Sequence, residues 1–133
     1  MADTQQTALT AFVAARALFL EQRFAQARQR TREYRRLIDY HRFPMTDQRK
    51  VAYPACSVIL VIHAAGVETL ASIDRLIAQS PSRAEIIVVD NGDSEAIHQP
   101  LASRALLHVR CPYNFLPSEG RNIGAFFARS PML

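Results

Sequence analysis

The sequence predicts an α/β protein in which a helical hairpin precedes an open, parallel sheet. Two patterns lead to this prediction. The front of the chain repeats apolar side chains at helical spacing, whereas from residue 56 onward short apolar runs alternate with helical stretches. With 133 residues, 49% of them hydrophobic and 21% charged, the chain has the composition of a folded protein and room for one ordinary domain with an added element.

Residues 1–48 are predicted to form an N-terminal pair of antiparallel helices. Their apolar side chains recur at steps of three and four, apart from one break near Thr31. Thirty unbroken helical residues would be unusually long, so we expect a break around Glu21 to Arg23. The apolar set comprises Leu9, Val13, Ala17, Leu20, Phe24, Ala27, Tyr34 and Ile38.

Basic charge is concentrated in this front segment. Residues 1–50 hold ten Lys and Arg against five Asp and Glu, whereas residues 51–133 hold six against seven. An arginine-rich helix face is ordinarily solvated, and it could also lie against anionic lipid. Nucleic-acid binding is a weaker alternative, because acidic residues offset the charge and no reading-helix or glycine-aromatic pattern accompanies the arginines.

A linker at residues 49–55 is predicted to separate the hairpin from a second domain at 56–133. It belongs to the stretch HRFPMTDQRKVAYPA, which has two prolines, mixed charge and no periodicity.

The second domain is predicted from three apolar runs, each followed by a helical stretch. Apolar runs without polar alternation are typical of strands covered on both faces of a parallel sheet. Right-handed crossovers between them would give the strand order third, second, first. The predicted strands are CSVILVI, EIIVVD and ALLHVR, and the predicted helices span about 68–79, 94–103 and 118–129, the last with Ser118 as its cap.

Cys56 and Cys111 are predicted to be reduced and packed in the core. They are far apart in sequence, lack partners at metal-ligand spacing, and would lie too far apart in the predicted sheet for a disulfide. No apolar run reaches the roughly 18 residues of a bilayer span, and the first residues lack a secretory signal pattern. These features predict a cytoplasmic protein that could be peripheral at the inner membrane face.

The turn after the second apolar run, DNGDSE, is the clearest candidate for a binding site. Polar residues at the carboxyl end of a parallel strand lie where open sheets bind ligands. Asp90 and Asn91 can point into the crevice as acceptors, where a carboxylate suits a ribose hydroxyl or a base N–H. Gly92 can adopt a turn closed to other residues, and Ser94 can cap the next helix. The same residues also make an ordinary turn and helix cap, and that alternative stays open.

Three stretches, CSVILVI, LIAQSPSRAEIIVVDNGDSE and VRCPYNFLPSEGRNIGAFFARSP, together resemble the N-terminal half of family 2 glycosyltransferases. The shared features occur in the family's order: Gln79, the VVDNG segment at 88–92, Asn114, and RNIG at 121–124. The resemblance implies part of a nucleotide-diphosphosugar transferase (GT-A) fold with a Rossmann-like sheet. It also implies hexosyltransferase-like transfer of a sugar from a nucleotide-diphosphate donor to an unknown saccharide, lipid or protein acceptor.

The same resemblance implies a set of nucleotide-binding residues. Asp90 and Asn91 would hold the base or ribose, and Arg121 and Asn122 would lie by the nucleotide and its phosphates. An Arg at a helix start also suits an anion, because paired N–H donors add to the helix dipole. His63 replaces family residues that shape the base pocket; it could stack on the base, or it could satisfy local hydrogen bonds.

Other groups that the resemblance implies fall outside this sequence. The family's Asp-x-Asp ligands for Mn or Mg, and its general base, would lie beyond Leu133. We therefore expect a fragment or shortened product that is inactive alone and has no catalytic residue of its own. Val58–Ile62 would then form an exposed apolar edge that favours self-association or a missing C-terminal half. A non-catalytic nucleotide-binding or protein-interaction module is the alternative function.

Overall fold

The computed structural model describes residues 3–133, which form an α/β protein of two compact units. One unit ends at Arg42 and the other begins at Phe43. Across residues 3–133, every helix is too short or too polar to cross a membrane.

The first unit is a helical hairpin, as the apolar periodicity predicts. Its elements are α1 (Thr4–Leu20), α2 (Phe24–Leu37) and a 3₁₀ turn at Tyr40–Arg42. The predicted break at Glu21 to Arg23 is confirmed, and Gln22 turns the chain there with φ of 61°. Gln5 and Asp39 exchange two hydrogen bonds of 3.0 and 3.1 Å, so the start of α1 lies beside the end of α2 and the helices are antiparallel.

The second unit contains a four-stranded sheet. Its elements are β1 (Met45–Asp47), β2 (Cys56–Ile62), α3 (Glu68–Gln79), β3 (Ala84–Asp90), α4 (Glu95–Leu101), β4 (Leu107–Arg110) and α5 (Leu116–Phe127). The strand order is β1-β4-β3-β2, with β2, β3 and β4 parallel. This confirms the predicted order, third, second, first, of the three apolar runs.

Strand β1 lies in the aperiodic stretch HRFPMTDQRKVAYPA, within the predicted helical segment 1–48, where the sequence predicted no strand. Met45 pairs with Val109 and Asp47 with Leu107, so β1 adds an antiparallel edge to β4. Phe43, just before β1, stacks on Phe115 with ring centroids 5.8 Å apart. A strand of three residues is too short to show an alternating pattern, and its stability comes from the partner strand rather than from its own sequence.

The sheet is covered on both faces, as the continuous apolar runs predict. On one face, β2 and β3 pack against α3 and α4 around a core of Ile62, Ile73, Ile86, Val88, Ile97, Leu101 and Leu106. On the other face α5 approaches β2 closely. A Cβ added at Gly120 would lie 2.7 Å from Val61 Cγ1, and one at Gly124 would overlap Ile59. Gly124 therefore permits close helix-to-sheet packing.

Strand β2 is an edge strand in the described chain. It pairs with β3 alone, and no other strand within residues 3–133 pairs with its outer side. Ser57 N–H donates to the carbonyl of Met132 at 2.8 Å, so the C-terminal segment covers the beginning of this edge. The side chains of Val58 to Val61 are half-buried because the helices cover both faces. Self-association through the edge stays a prediction.

A buried carboxylate, which sequence analysis did not single out, connects neighbouring segments at the amino end of the sheet. Glu85, at the start of β3, accepts hydrogen bonds from Ser57 Oγ, from Arg49 Nη1 at 3.0 Å and from Arg129 Nε at 2.9 Å. Burial raises the pKa of Glu85, but these donors outweigh it and hold the pKa below its usual value. The contacts connect the segment before β2, the sheet and the segment after α5.

Both cysteines are free thiols, as predicted. Cys111 is buried just after β4, and burial, together with the nearby carboxylates of Asp90 and Glu119, raises its pKa to about 12. Cys56 is half-buried at the start of β2, so the predicted core packing is confirmed for Cys111 and not for Cys56. The thiol of Cys111 is therefore protonated and unreactive at neutral pH.

Candidate functional site

An open cleft of about 490 Å³ runs along the outer edge of β2 to the carboxyl end of the sheet. One wall is apolar, and the mouth is polar. The lining residues are Ile59, Leu60, Val61, Ile62, His63, Asn91, Asn114, Leu116, Pro117 and Arg121. This is the edge of an open parallel sheet at which ligands bind.

Asn91 holds together the loops that form the mouth. Its side chain accepts from Phe115 N–H at 3.3 Å and donates to the Leu116 carbonyl at 3.1 Å. The loop after β2 is fastened to the same turn, because Ala64 N–H donates to the Gly92 carbonyl at 2.9 Å. Asn91 thus lines the cleft, as predicted, but its amide is already occupied in fixing the start of α5.

Backbone strain is concentrated at this end of the sheet. Ala64, Asp93 and Leu116 have φ of 50°, 58° and 66°, and Gly92 has φ of 110°. The prediction that Gly92 makes a turn closed to other residues is confirmed. A non-glycine residue in the left-handed region costs about 1–3 kcal/mol, and such residues cluster at binding and catalytic sites. Each of the three loops around the mouth contains at least one residue with positive φ.

Arg121 and His63 are the exposed, uncommitted groups of the cleft. Both side chains are exposed, and within residues 3–133 neither has a hydrogen bond or an ion pair. Their polar atoms are therefore available to a ligand.

The start of α5 corrects two details of the sequence interpretation. The helix begins at Leu116, with Phe115 as its N-cap, so Ser118 does not cap it. Arg121 consequently lies in the second turn rather than at the helix start. Because the helix-dipole effect falls off within the first turn, Arg121 offers its own charge and N–H donors, with little help from the dipole.

Asp90 lies outside the cleft, at the end of β3. Its side chain is 1% exposed; Oδ1 accepts from Gly92 N–H at 2.9 Å, and Oδ2 lies 2.9 Å from His98 Nε2 and 3.5 Å from His108 Nε2. Burial raises the pKa of Asp90, but His108, Gly92 and His98 lower it to about 2. The sequence predicted that Asp90 points into the crevice. In the structure its carboxylate turns instead toward the two imidazoles.

Asn122 and Ser94 also form hydrogen bonds with other residues of the protein and do not line the cleft. Asn122 is exposed and donates to Glu119 Oε2 at 3.1 Å, away from the cleft lining. Ser94 occupies the N-cap position of α4, but it makes no side-chain cap; its Oγ donates to the Gly92 carbonyl and accepts from Ala65 N–H. The predicted cap at Ser94 is therefore corrected to a bridge between two loops.

Of the five predicted site residues, the structure brings three together in the cleft: His63, Asn91 and Arg121. Asp90 and Asn122 lie elsewhere, and a nucleotide role for any of the five stays a prediction. Sequence reasoning did not assign a site role to Asn114 or Leu116. Asn114 was visible as part of the ordered motif set, whereas nothing local marks Leu116.

The cleft residues do not fit the Mn or Mg ion that the family resemblance implies. Both ions prefer carboxylate and other oxygen ligands. Among the described residues, no carboxylate lines the cleft, and the Arg121 guanidinium there would repel a cation. No chemical step is assigned to a metal in this cleft.

A model of the family described as "Glycosyl transferase family 2" matches residues 57–133. No curated protein and no solved structure matches the chain significantly. The matched segment spans more than half of the chain and includes every residue that lines the cleft.

Proposed function

This chain belongs to glycosyl transferase family 2, and from that premise we propose that its cleft binds a nucleotide-diphosphate sugar as the donor for sugar transfer. The observation that carries the proposal is the position of Arg121. It is an exposed cation without a side-chain partner among residues 3–133, at the carboxyl end of a parallel sheet and beside loops that Asn91 holds in place.

Each part of such a donor has a matching surface in the cleft. The Arg121 guanidinium suits the diphosphate, because a planar fork of N–H donors pairs with phosphate oxygens. His63 and the apolar wall of β2 suit the base, which can stack on an imidazole or lie against aliphatic side chains. The volume, about 490 Å³, lies within the range of roughly 300–1,000 Å³ that is usual for ligand sites.

The remaining predicted residues have positioning roles in this proposal. Asp90 shapes the 90–94 turn through its hydrogen bond from Gly92, and Asn122 orients Glu119 on α5. Neither contacts the donor directly. Substituting them would therefore weaken donor binding through the position of the loop or helix.

Sugar transfer also needs a base for the acceptor hydroxyl and a cation for the leaving diphosphate. Because the described cleft lining offers no carboxylate for either task, we propose that this chain by itself binds the donor without turning it over. Metal-independent nucleotide binding without catalysis is the second candidate, and the same absence of carboxylates from the lining favours it.

Isothermal titration of the purified chain with UDP and other nucleoside diphosphates, with and without Mn²⁺, tests the proposal. Arg121→Ala should weaken binding about ten-fold or more, since a hydrogen bond to a charged group contributes about 1.5–3 kcal/mol. Arg75→Ala is the matched control, because Arg75 is an exposed helical arginine of α3 outside the cleft.

Three results separate the possibilities. Binding that is lost in Arg121→Ala and kept in Arg75→Ala supports the cleft as the donor site. The absence of binding for every nucleotide, or equal affinities for the two variants, would overturn the proposal. Binding that is unchanged by Mn²⁺ favours the non-catalytic candidate.

A further inference from the structure

A cluster of one carboxylate and two imidazoles lies at the end of β3, outside the cleft. It consists of Asp90, His98 on α4 and His108 on β4. The Asp90 and His108 side chains are 1% and 2% exposed, and that of His98 is 26% exposed. The two imidazole rings lie 5.3 Å apart, centroid to centroid. Three titratable groups thus converge on a nearly dry site.

The cluster is incomplete as a hydrogen-bond network. His98 Nε2 lies 2.9 Å from Asp90 Oδ2, a normal hydrogen bond. His108 Nε2, in contrast, is buried and has no hydrogen-bond partner in the described part of the chain; Asp90 Oδ2 is 3.5 Å away. Buried polar atoms without a partner are rare in folded proteins, and each calls for an explanation such as an ion.

From these contacts we propose that Asp90, His98 and His108 bind a divalent transition-metal ion, with Zn²⁺ as the best match. Two imidazole nitrogens and one carboxylate oxygen are a donor set that Zn²⁺ commonly uses, with a fourth position left open. An ion here would coordinate the orphaned nitrogen of His108 and neutralise the buried carboxylate.

The distances agree with such an ion after a small adjustment. The three ligand atoms lie within 4.8 Å of one another. Tetrahedral bonds of about 2.0–2.2 Å place ligand atoms roughly 3.3–3.6 Å apart. The Asp90–His108 distance already meets this. His98 Nε2, now 2.9 Å from Asp90 Oδ2, needs to move away from it by about half an ångström, and the two imidazole nitrogens, which lie within 4.8 Å of each other, need to reach the same range. His98 is the partly exposed ligand on a short helix, which makes it both the adjustable ligand and the entry path.

The surroundings of Asp90 suit its role as a ligand. Gly92 N–H holds Oδ1 at 2.9 Å, which orients the carboxylate and leaves Oδ2 directed at the imidazoles. Hydrogen bonds of this kind from outside the ligand set fix ligand orientation and strengthen metal binding.

The proposed ion would act on the polar turn rather than in the cleft. Asp90 and His98 flank residues 91–94, so a metal joining them to β4 would clamp the turn that carries Asn91 and Gly92. None of the three ligands lines the cleft. The proposal therefore does not depend on donor binding, and either one can fail alone.

Zinc titration of the full chain, after treatment with a chelator and its removal, tests the site. Calorimetry should give one Zn²⁺ per chain, and Co²⁺ should give the visible absorption of a tetrahedral nitrogen and oxygen site. His98→Gln and His108→Gln should each weaken binding by about ten-fold or more, because even the loss of an outer partner of a ligand costs 10–100-fold. His41→Gln is the matched control, since His41 lies in the helical unit.

The outcomes are decisive even if one variant is unstable. His108→Gln changes a fully buried residue, so its fold is checked by circular dichroism, and the partly exposed His98→Gln provides the independent test. Loss of zinc binding in folded His98→Gln with retention in His41→Gln supports the site. Three results would overturn it: no zinc binding by the folded chain at micromolar concentrations, unchanged affinity in His98→Gln, or a cobalt–thiolate band that identifies cysteine as a ligand.

Discussion

Replacing Glu85 with glutamine tests how far the amino end of the sheet depends on one buried charge. The carboxylate is fully buried and accepts from Ser57 Oγ, from the backbone N–H of Arg129 at 2.6 Å, and from the guanidinium groups of Arg49 and Arg129. Glutamine keeps the size of the side chain but removes the charge. It also directs an NH₂ group at neighbours that are themselves donors.

The expected loss in the free energy of unfolding depends on which arginine partners of Glu85 keep another contact or can be hydrated. Removing one partner of a buried ion pair typically costs about 3–5 kcal/mol. The lower end, about 3 kcal/mol, applies here for two reasons. Arg49 keeps its contact with Asp47 at 2.7 Å, and the Arg129 side chain is 37% exposed and can be hydrated. Such a loss is a large part of the ~5–15 kcal/mol that stabilises an ordinary domain.

Urea unfolding followed by circular dichroism at neutral pH measures this loss. Glu68→Gln is the control, because Glu68 is exposed in the first turn of α3 and should change stability by less than about 1 kcal/mol. If Glu85→Gln lowers the free energy of unfolding by no more than Glu68→Gln does, the reasoning is refuted.

The pH dependence gives a second readout of the same interaction. The pKa of Glu85 is lower in the folded chain than its ordinary value of 4.5. Its stabilisation is therefore present above about pH 4.5 and is lost as the pH falls through the folded pKa. The stability difference between Glu85→Gln and the original chain should shrink on acidification below that value. A difference that stays constant would show that the charge is not the cause.

Two more predictions concern packing and thiol exposure. Gly124→Ala should lower stability by about 1–2 kcal/mol, because overlap with Ile59 costs about 1–3 kcal/mol and the gain in helix propensity returns at most about 1 kcal/mol. Gly124→Ala should cost less in an Ile59→Ala background than in the original chain, because the side chain that the new methyl group overlaps has been removed; an unchanged melting temperature in the single variant would argue against close packing. Alkylation under native conditions should modify Cys56 well before Cys111, which is buried and has a raised pKa; equal rates, read by mass spectrometry, would contradict the burial of Cys111.

The sequence by itself determined the elements and the order of the three parallel strands. Apolar runs and three-to-four spacing are local properties, so the hairpin break at Glu21 to Arg23 and the helix at 68–79 could be predicted from neighbouring residues alone. The ordered motifs from Gln79 to Gly124 also identified the family correctly, since their spacing reflects the same succession of strands and turns. Gly92 was predictable because a turn that leaves a buried strand requires a residue able to adopt positive φ.

Only the tertiary structure decided which polar group faces which partner. Asp90 was expected in the cleft, but pairing of β3 with β4 brings His108 beside its carboxylate, and α4 adds His98. Strand β1 and the ion pairs of Glu85 with Arg49 and Arg129 likewise join residues that are more than thirty positions apart. The direction of a side chain at a strand end depends on the donors and charges that long-range pairing places around it. A local sequence pattern does not contain these long-range neighbours, so it cannot predict that direction.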